Sequence, residues 1–195
     1  MSVGWTWGSA NSPTANNIIE FNHIHHLGKL ADGEQPLIND NGGIYTLGVQ
    51  PGTKIRSNLI HDIQAHNYGG WGIYLDEGSS QILVENNIVY RTRKGSFHLH
   101  RGEDNIVRNN IFALGELSQI ERTVETLEAA LEDEDYRSFT LENNIIYWRD
   151  GDLLAGRWGD KYYAFDRNLY WSLGDRPIGF DKLSWQEWQQ KRNGS

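Results

Sequence analysis

Asp76 is the residue whose type and setting in this chain best suit acid–base chemistry. It ends a short alternating stretch framed by glycines, and Glu77 follows it directly. Two carboxylates are the minimum for hydrolysing a glycosidic bond, because one protonates the leaving oxygen and the other acts as nucleophile or activates water. Asp40, Glu77 and Glu121 are the candidates for the second carboxylate. The structural alternatives are a strand-capping role for Asp76 and a plain turn at residues 39–42, around Asp40.

Two histidines accompany this carboxylate in the sequence. His98 and His100 are separated by one residue, so in a strand both point to the same face. With Asp76 nearby they could ligate a metal ion, but no second strong ligand cluster accompanies them. Hydrogen bonding to a substrate, or orientation of a carboxylate, is the favoured role. The sequence therefore predicts neither a metal centre nor a cofactor.

A second polar cluster contains His23, His25, His26, His61 and Asp62. His25 and His61 occupy the same position after two recurring asparagines, so we expect their rings to stack. Structural pairing is the favoured interpretation of this cluster.

Three glycine-framed stretches predict the strands that position the first group: residues 42–48, 69–78 and 95–102. We interpret them as the same strand in successive turns of a coil, with Ile44, Ile73 and Phe97 as one inward row. The outward columns are then Tyr45, Tyr74 and His98, followed by Leu47, Asp76 and His100. Neighbouring strands lie about 4.8 Å apart, so Asp76 and His100 are expected to make contact.

Residues 117–122 predict the fourth strand of this row and place Gln119, Glu121 or Arg122 near the same surface. The surface combines carboxylates, imidazoles, guanidinium groups and aromatic rings. We predict that a substrate contacts nine of its side chains: Tyr45, Trp71, Tyr74, Glu77, His98, His100, Arg101, Gln119 and Arg122.

An asparagine followed by apolar or aromatic residues recurs along the chain, at Asn22, Asn58, Asn87, Asn110, Asn144 and Asn168. Successive anchors lie 36, 29, 23, 34 and 24 residues apart, which indicates a basic turn of roughly 23 residues with inserted loops. An apolar period of 3.6 is missing, so a helical solenoid is disfavoured. Short β-rich runs between Asn and Gly turns predict an all-β parallel β-helix. Asn tolerates the left-handed backbone of a tight turn, and stacked amides can form a hydrogen-bond ladder.

Two helices interrupt this pattern. Val124, Leu127 and Leu131 lie on one helical stripe and predict a short inserted helix at about 123–134. Ser184 and Glu187 have the capping-box spacing and predict a terminal helix at about 184–191. We expect residues 1–195 to form one β-helix domain, a fragment of a longer coil.

Composition narrows the classes of partner. The net charge of -8 argues against nucleic acid and anionic membranes. The chain has no cysteine, and no apolar run has the length of a membrane span. Its first residues lack the basic and apolar regions of a signal peptide. Eight tryptophans and nine tyrosines suit a groove that binds sugar rings.

Four motifs resemble the right-handed parallel β-helix proteins of glycoside hydrolase family 141, which have a pectate-lyase-like solenoid fold. They lie at residues 40–48, 50–53, 60–63 and 68–80, within a similarity that runs from about Gly4 to Trp188. The family includes α-L-fucosidases that act on pectin and xylanases. The resemblance implies that Asp40 and Asp76 are the catalytic pair. Because Asp40 precedes its strand and Asp76 follows the next one, the loop at 37–43 must fold back.

The resemblance also implies an oligosaccharide or polysaccharide substrate and an extracellular or periplasmic location. This chain is shorter than the family at both ends, and Val124 stands where the family has a second arginine after Arg122 and Thr123. We expect such a coil to lose substrate subsites and to self-associate end to end through its exposed ends.

Two other functions fit the same fold. One is a non-catalytic carbohydrate-binding β-helix. The other is a polysaccharide lyase, for which Arg101 is the available proton-abstracting base, although acidic residues that could bind calcium do not cluster around it. Fold alone does not choose among them.

Overall fold

The computed structural model describes residues 1–8, 10, 12–28, 38–123, 137–159, 161–175 and 178–193. In chain order the strands are β1 (Ser2–Val3), β2 (Ile18–Glu20), β3 (His23–Leu27), β4 (Gly42–Thr46), β5 (Lys54–Arg56), β6 (Leu59–Ile63), β7 (Trp71–Leu75), β8 (Leu83–Glu85), β9 (Ile88–Thr92), β10 (Phe97–Leu99), β11 (Asn105–Arg108), β12 (Ile111–Ala113), β13 (Ser118–Arg122), β14 (Phe139–Glu142), β15 (Ile145–Trp148), β16 (Asp152–Gly156), β17 (Tyr163–Asp166), β18 (Leu169–Ser172), β19 (Gly179–Phe180) and β20 (Leu183–Ser184). Helix α1 (Trp185–Asn193) follows them.

The strands coil so that each turn contributes one strand to each of three parallel sheets. Within the described residues each sheet has six strands, in the orders β1-β4-β7-β10-β13-β16, β2-β5-β8-β11-β14-β17 and β3-β6-β9-β12-β15-β18. Every neighbour within a sheet is therefore one full turn away in the chain. The predicted all-β parallel β-helix is confirmed.

The core lies inside the coil and is built from stacked apolar rows. In the first sheet Ile44 pairs with Ile73, Ile73 with Phe97 and Phe97 with Ile120, and all four side chains are fully buried. This is the inward row expected from the alternation of apolar and polar residues. Because register in a strand has a period of two, it also fixes which side chains of the first sheet face outward.

The recurring asparagines form the predicted ladder at the bend between the second and third sheets. Each Nδ2 donates to the Oδ1 of the next anchor at 2.9–3.0 Å, in a column that runs from Asn22 to Asn168. The expected left-handed backbone is wrong for the anchors themselves. The residue before each anchor has that conformation instead: Phe21, Ser57, Asn86, Asn109, Asn143 and Arg167. An anchor is thus free to turn its amide inward.

The C-terminal end of the described coil is closed by β19, β20 and α1. The backbone N–H of Ser184 donates to Glu187 Oε2 at 2.8 Å, and the N–H of Glu187 donates to Ser184 Oγ at 3.3 Å, which is the capping box. Trp188 of α1 stacks on Phe180 and is buried against the core. The helix predicted at about 123–134 lies, apart from Thr123, outside the described residues. Among the described residues, none of the helical structure has the length and apolar character of a membrane-spanning segment.

Candidate functional site

Asp76 lies directly after β7, on the outer side of the first sheet. Its Oδ2 accepts a hydrogen bond from the Tyr45 hydroxyl at 2.5 Å, and its Oδ1 accepts one from Nδ1 of His100 at 2.7 Å. Tyr45 belongs to the preceding turn and His100 to the following one. The expected contact between Asp76 and His100 is therefore present, and the coil itself fixes the carboxylate from both sides.

Asp40 reaches the same surface on a loop that folds back, as its pairing with Asp76 required. The backbone N–H of Asp40 donates to the carbonyl of Tyr68 at 2.6 Å, and that of His66 donates to Ile38 at 2.9 Å. Asn41 Nδ2 also donates to the carbonyl of Gln64 at 3.0 Å. These bonds dock the loop at 38–41 onto the loop at 64–70.

Gly69 makes this docking possible. A Cβ atom at residue 69 would lie 2.7 Å from the backbone nitrogen of Asn41 and 2.8 Å from that of Asp40. Gly69 also has a φ of 110°, which side chains rarely allow. Asp40 itself adopts a φ of 50°, an uncommon conformation that the surrounding hydrogen bonds maintain. Only a glycine lets the two loops approach this closely.

The two carboxyl groups are displaced in opposite directions from an ordinary aspartate. Although burial raises the pKa of Asp76, hydrogen bonds from His100 and Tyr45 outweigh it and lower the value to about 2. Burial raises the pKa of Asp40, and the negative charge on Asp76 raises it further. Tyr74 interacts with both carboxylates and lowers the pKa of each. The pair thus shares one environment, which lowers the pKa of Asp76 and raises that of Asp40.

The tyrosines and the imidazole around the pair stay in the forms that donate hydrogen bonds. Burial, followed by the charge on Asp76, raises the pKa of Tyr74, and burial and the hydrogen bond to Asp76 raise that of Tyr45. The hydrogen bond to Asp76 raises the pKa of His100. Each group can therefore hold Asp76 in its charged state.

Behind the pair, the outward column of the first sheet is packed into a stack of rings. Tyr74 and His98 stack at 4.7 Å between ring centroids, and His98 and Trp71 stack at 4.2 Å. Trp71 Nε1 donates to Glu121 at 2.7 Å, and Lys94 Nζ lies 3.2 Å from the other Glu121 oxygen. Glu121 is thus tied to Trp71 and Lys94, which disfavours it as the partner of Asp76.

Two exposed aromatic rings flank this surface. Trp5 is 68% exposed, with its ring centroid 6.0 Å from that of Tyr45. Tyr68 is 44% exposed and packs edge-on against Trp71 at 5.0 Å. Exposed rings beside polar groups offer an apolar face to a sugar.

The protein-family model described as the right-handed beta helix region matches residues 7–147 of this chain. The chain belongs to the right-handed beta helix family. No curated protein and no solved structure matches it. The right-handed β-helix is compatible with carbohydrate-active proteins, and it occurs in enzymes that act on polysaccharides. A shared fold does not by itself assign an activity, so the site must carry that argument.

Of the nine side chains predicted to contact a substrate, four are accessible on the β-helix: Tyr45, Glu77, His100 and Arg101. Glu77 and Arg101 form an ion pair at 3.5 Å beside Asp76. Trp71, Tyr74 and His98 face outward as expected, but they are buried within the ring stack. Direct substrate contact by these three finds no support, because their rings cover one another.

The expected positions of Gln119 and Arg122 are wrong. Gln119 is buried, and its amide bonds the backbone of Gly115 and the carbonyl of Asp150. Arg122 pairs with inward Leu99, so its side chain points into the coil. Its guanidinium lies 5.1 Å from the ring centroid of Tyr163, and Nη1 donates to the carbonyl of Arg157 at 3.1 Å. Because arginine is charged, we expected Arg122 at the surface. The alternation of side chains along β13 instead places it in the interior.

Sequence reasoning missed Lys94, Tyr68 and Trp5 as parts of this surface. Lys94 Nζ lies 4.9 Å from the ring centroid of Tyr68 and 5.1 Å from that of Trp71. Lys94 directly precedes the glycine-framed stretch at 95–102, and Tyr68 directly precedes Gly69. Their position beside these glycines is the feature of the sequence that could have assigned them to the surface.

The two groups of histidines predicted from the sequence differ in their contacts. His98 and His100 turn to separate partners, Thr123 Oγ1 at 2.7 Å and Asp76 respectively, so they do not converge on one point. His25 and His61 stack at 5.3 Å with an interplanar angle of 9°, as expected from their matching positions.

Proposed function

We propose that this β-helix is a carbohydrate-active glycoside hydrolase, with Asp40 as the general acid and Asp76 as the ionised carboxylate. The observation that carries the proposal is the opposite displacement of their two pKa values within one environment. Pairs of acids whose environments push their pKa values apart are typical of acid–base catalysis, and such carboxyl pairs cleave glycosidic bonds.

Each carboxyl group then has a defined step. Asp40 donates its proton to the leaving-group oxygen as the glycosidic C–O bond breaks. Asp76 either attacks the anomeric carbon, forming a glycosyl-enzyme that water later hydrolyses, or takes a proton from the attacking water. Since the pKa of Asp76 lies at about 2, its carboxylate is available for either role throughout the mildly acidic and neutral range.

Tyr45 and His100 act as positioning residues in this scheme. Their hydrogen bonds at 2.5 Å and 2.7 Å hold both oxygens of Asp76 in a fixed orientation. A carboxylate so held needs little reorganisation when charge develops on the sugar ring.

Sugar rings bind through the exposed rings of Trp5 and Tyr68, which flank the carboxyl pair. The ion pair of Glu77 and Arg101 supplies polar groups for sugar hydroxyls next to Asp76. Apolar ring faces with a few polar groups at their edge are a common arrangement in ligand sites.

The resemblance to glycoside hydrolase family 141 supports an α-L-fucosidase or xylanase type of activity, on a plant or microbial oligosaccharide or polysaccharide. It also supports an extracellular or periplasmic location.

A non-catalytic carbohydrate-binding β-helix is the second candidate. It is favoured by the exposed rings of Trp5 and Tyr68, which offer apolar faces to a sugar whether or not the carboxyl groups act on it. A lyase is less well supported, because its candidate base Arg101 is engaged with Glu77.

The test is an activity screen on fucosylated pectin fragments and on xylan. Its control is the chain that carries both Asp40→Asn and Asp76→Asn. Release of reducing sugar by the native chain but not by the double variant is the expected result. Binding without turnover would replace the hydrolase with the binding module, and an unsaturated product that absorbs ultraviolet light would replace it with the lyase.

A further inference from the structure

A cluster of imidazoles lies on the outer face of the third sheet, away from the two carboxyl groups on the first. It consists of His23, His25 and His26 on β3, and of His61 and Asp62 on β6. The three histidines of β3 are exposed, whereas His61 is buried beneath them. The acid–base scheme above uses none of these residues.

A left-handed residue inside each strand gathers these side chains on one face. His26 and Asp62 both have a φ of 54°. Ile60 and Ile63 are both fully buried, so the two residues between them, His61 and Asp62, both lie outside the core. A residue with a left-handed backbone interrupts the alternation of side chains along a strand, so two successive side chains point to the same side. The left-handed backbone of His26 likewise places the side chains of His25 and His26 next to each other.

Pairs of ring nitrogens face one another at short range. Nε2 of His23 lies 2.8 Å from Nε2 of His61, and Nδ1 of His25 lies 2.7 Å from Nδ1 of His26. Between two neutral imidazoles only one proton can occupy such a gap, so one nitrogen of each pair presents its lone pair to the other. Two ligands of a tetrahedral Zn²⁺ lie about 3.3 Å apart, because each bond is about 2.0–2.1 Å long. The His23–His61 pair therefore needs to open by only about half an ångström to admit an ion.

Asp62 orients His61 for this purpose. Its Oδ2 accepts from Nδ1 of His61 at 2.6 Å, which leaves Nε2 with the lone pair that faces His23. Arg91 clamps Asp62 in turn, with Nε at 2.8 Å from one oxygen and Nη2 at 2.6 Å from the other. A carboxylate that holds the far nitrogen of a histidine is the usual support for a metal ligand.

We propose that this cluster binds one divalent transition-metal ion, with Zn²⁺ as the reference ion. His23 and His61 supply the first two ligands through Nε2, and Asp62 orients His61. His26 supplies the third ligand, since one of its nitrogens lies within 4.8 Å of donor atoms of His61 and Asp62, and its exposed side chain can rotate inward.

The nature of the donors sets the class of ion. Imidazole nitrogen suits Zn²⁺, Ni²⁺ and Cu²⁺, whereas Ca²⁺ and Mg²⁺ take oxygen ligands. The carboxylate Asp62 is already occupied by Arg91 and His61, so a cluster of this kind rejects Ca²⁺.

Such an ion links β3 to β6. β3 has a single neighbour in the third sheet among the described strands, and β6 lies between β3 and β9. Metal bound to His23 and His61 would thus fasten a strand at the edge of the sheet to the turn next to it. The site stabilises the coil and is independent of the proposed hydrolysis.

The experiment measures Zn²⁺ binding to the full chain, purified without a histidine tag, by equilibrium dialysis. Co²⁺ replaces Zn²⁺ in a second series, so that visible absorption reports nitrogen ligands. The native chain is expected to bind one ion, and His23→Gln and His61→Gln are each expected to weaken binding at least about tenfold. Ca²⁺ is expected not to bind. Far-ultraviolet circular dichroism verifies that each variant has folded. His23→Gln changes an exposed side chain, so it is expected to leave the fold intact.

His66→Gln is the matched control, because His66 lies on the loop at 64–70 and not in the cluster. Asp76→Asn separates this proposal from the proposed hydrolase and is expected to bind the ion unchanged. Zn²⁺ is expected to raise the melting temperature of the native chain but not that of the His23→Gln, His61→Gln double variant. No bound ion, equal binding by that double variant, or equal loss in His66→Gln would each overturn the proposal.

Discussion

Asp76 and Asp40 reach the same surface by different routes. Asp76 follows β7 directly, and side chains from the turns on either side hold it. Asp40 lies on a loop, and backbone bonds to a second loop hold it in place. In the coil, the pKa of Asp76 is lowered to about 2. In the loop, the pKa of Asp40 is raised. In this molecule the repeating scaffold holds the ionised carboxylate, whereas the loop holds the carboxyl group that we propose as the proton donor.

Asp76→Asn tests the coil side of this comparison and should have the largest effect. An amide can neither attack nor accept a proton, so we expect kcat/KM to fall on the order of 10³-fold on every substrate the chain cleaves. Asp152→Asn, an exposed aspartate of the same sheet, is the control. A comparable loss in both variants would attribute the effect to the sheet as a whole.

Asp40→Asn tests the loop side. Because Asp40 is the proposed proton donor, the loss should be about 10²-fold on a natural glycoside. It should be less than about tenfold on an aryl glycoside whose leaving group needs no protonation. Rates on the two substrates decide the assignment, and an equal loss on both would exclude Asp40 as the acid.

Gly69→Ala breaks the docking of the two loops without touching either carboxylate. The new Cβ would meet the backbone nitrogens of Asn41 and Asp40 at 2.7 Å and 2.8 Å, so Asp40 must shift. We expect kcat/KM to fall on the order of tenfold or more. Gly159→Ala is the matched control, because a Cβ there meets nothing within 4 Å. If the two variants have the same activity, the docking does not position Asp40.

His100→Ala should move the pH–rate profile. His100 lowers the pKa of Asp76 by its hydrogen bond and that of Asp40 by its charge. In the proposed mechanism activity needs Asp76 ionised and Asp40 protonated, so it is expected to rise with pH through the pKa of Asp76 and to fall through that of Asp40. Loss of His100 raises both pKa values, and both limbs should move to higher pH, the acidic limb by about one unit. His66→Ala should leave the profile in place, and movement of one limb alone would contradict the shared environment.

Trp5→Ala should have the smallest effect. Trp5 contributes one ring face at the edge of the site, so we expect KM to rise a few-fold with kcat unchanged. Trp171→Ala, which removes an exposed tryptophan from β18, is the control. A fall in kcat in place of a rise in KM would place Trp5 in the chemistry itself.

The rows of the first sheet and the asparagine ladder could be predicted from the sequence, because both arise from simple periodicity. Ile44, Ile73 and Phe97 share one position in glycine-framed stretches, and the ladder residues recur at nearly regular steps. In contrast, the pairing of the loop at 38–41 with the loop at 64–70 depends on long-range backbone bonds that no local pattern encodes.

Arg122 and His26 illustrate what periodicity leaves out. Arg122 follows the alternation into the interior because aromatic rings such as Tyr163 receive its charge there, and those partners lie far along the chain. His26 adopts a left-handed backbone, as do Asp62, Arg91 and Leu114 in later turns of the third sheet. Four such different residue types give no sequence signature of the left-handed position that brings the imidazoles together.

The asparagine ladder has a consequence for how such a molecule can change over evolutionary time. Its links are equally short whether 23 or 36 residues separate the two asparagines. Lengthening a connecting segment costs only a logarithmic loss of chain entropy, while the column of amides and the interior rows stay the same. New segments can therefore be acquired on the outside of the coil, and with them new specificities, at little risk to the scaffold that carries them.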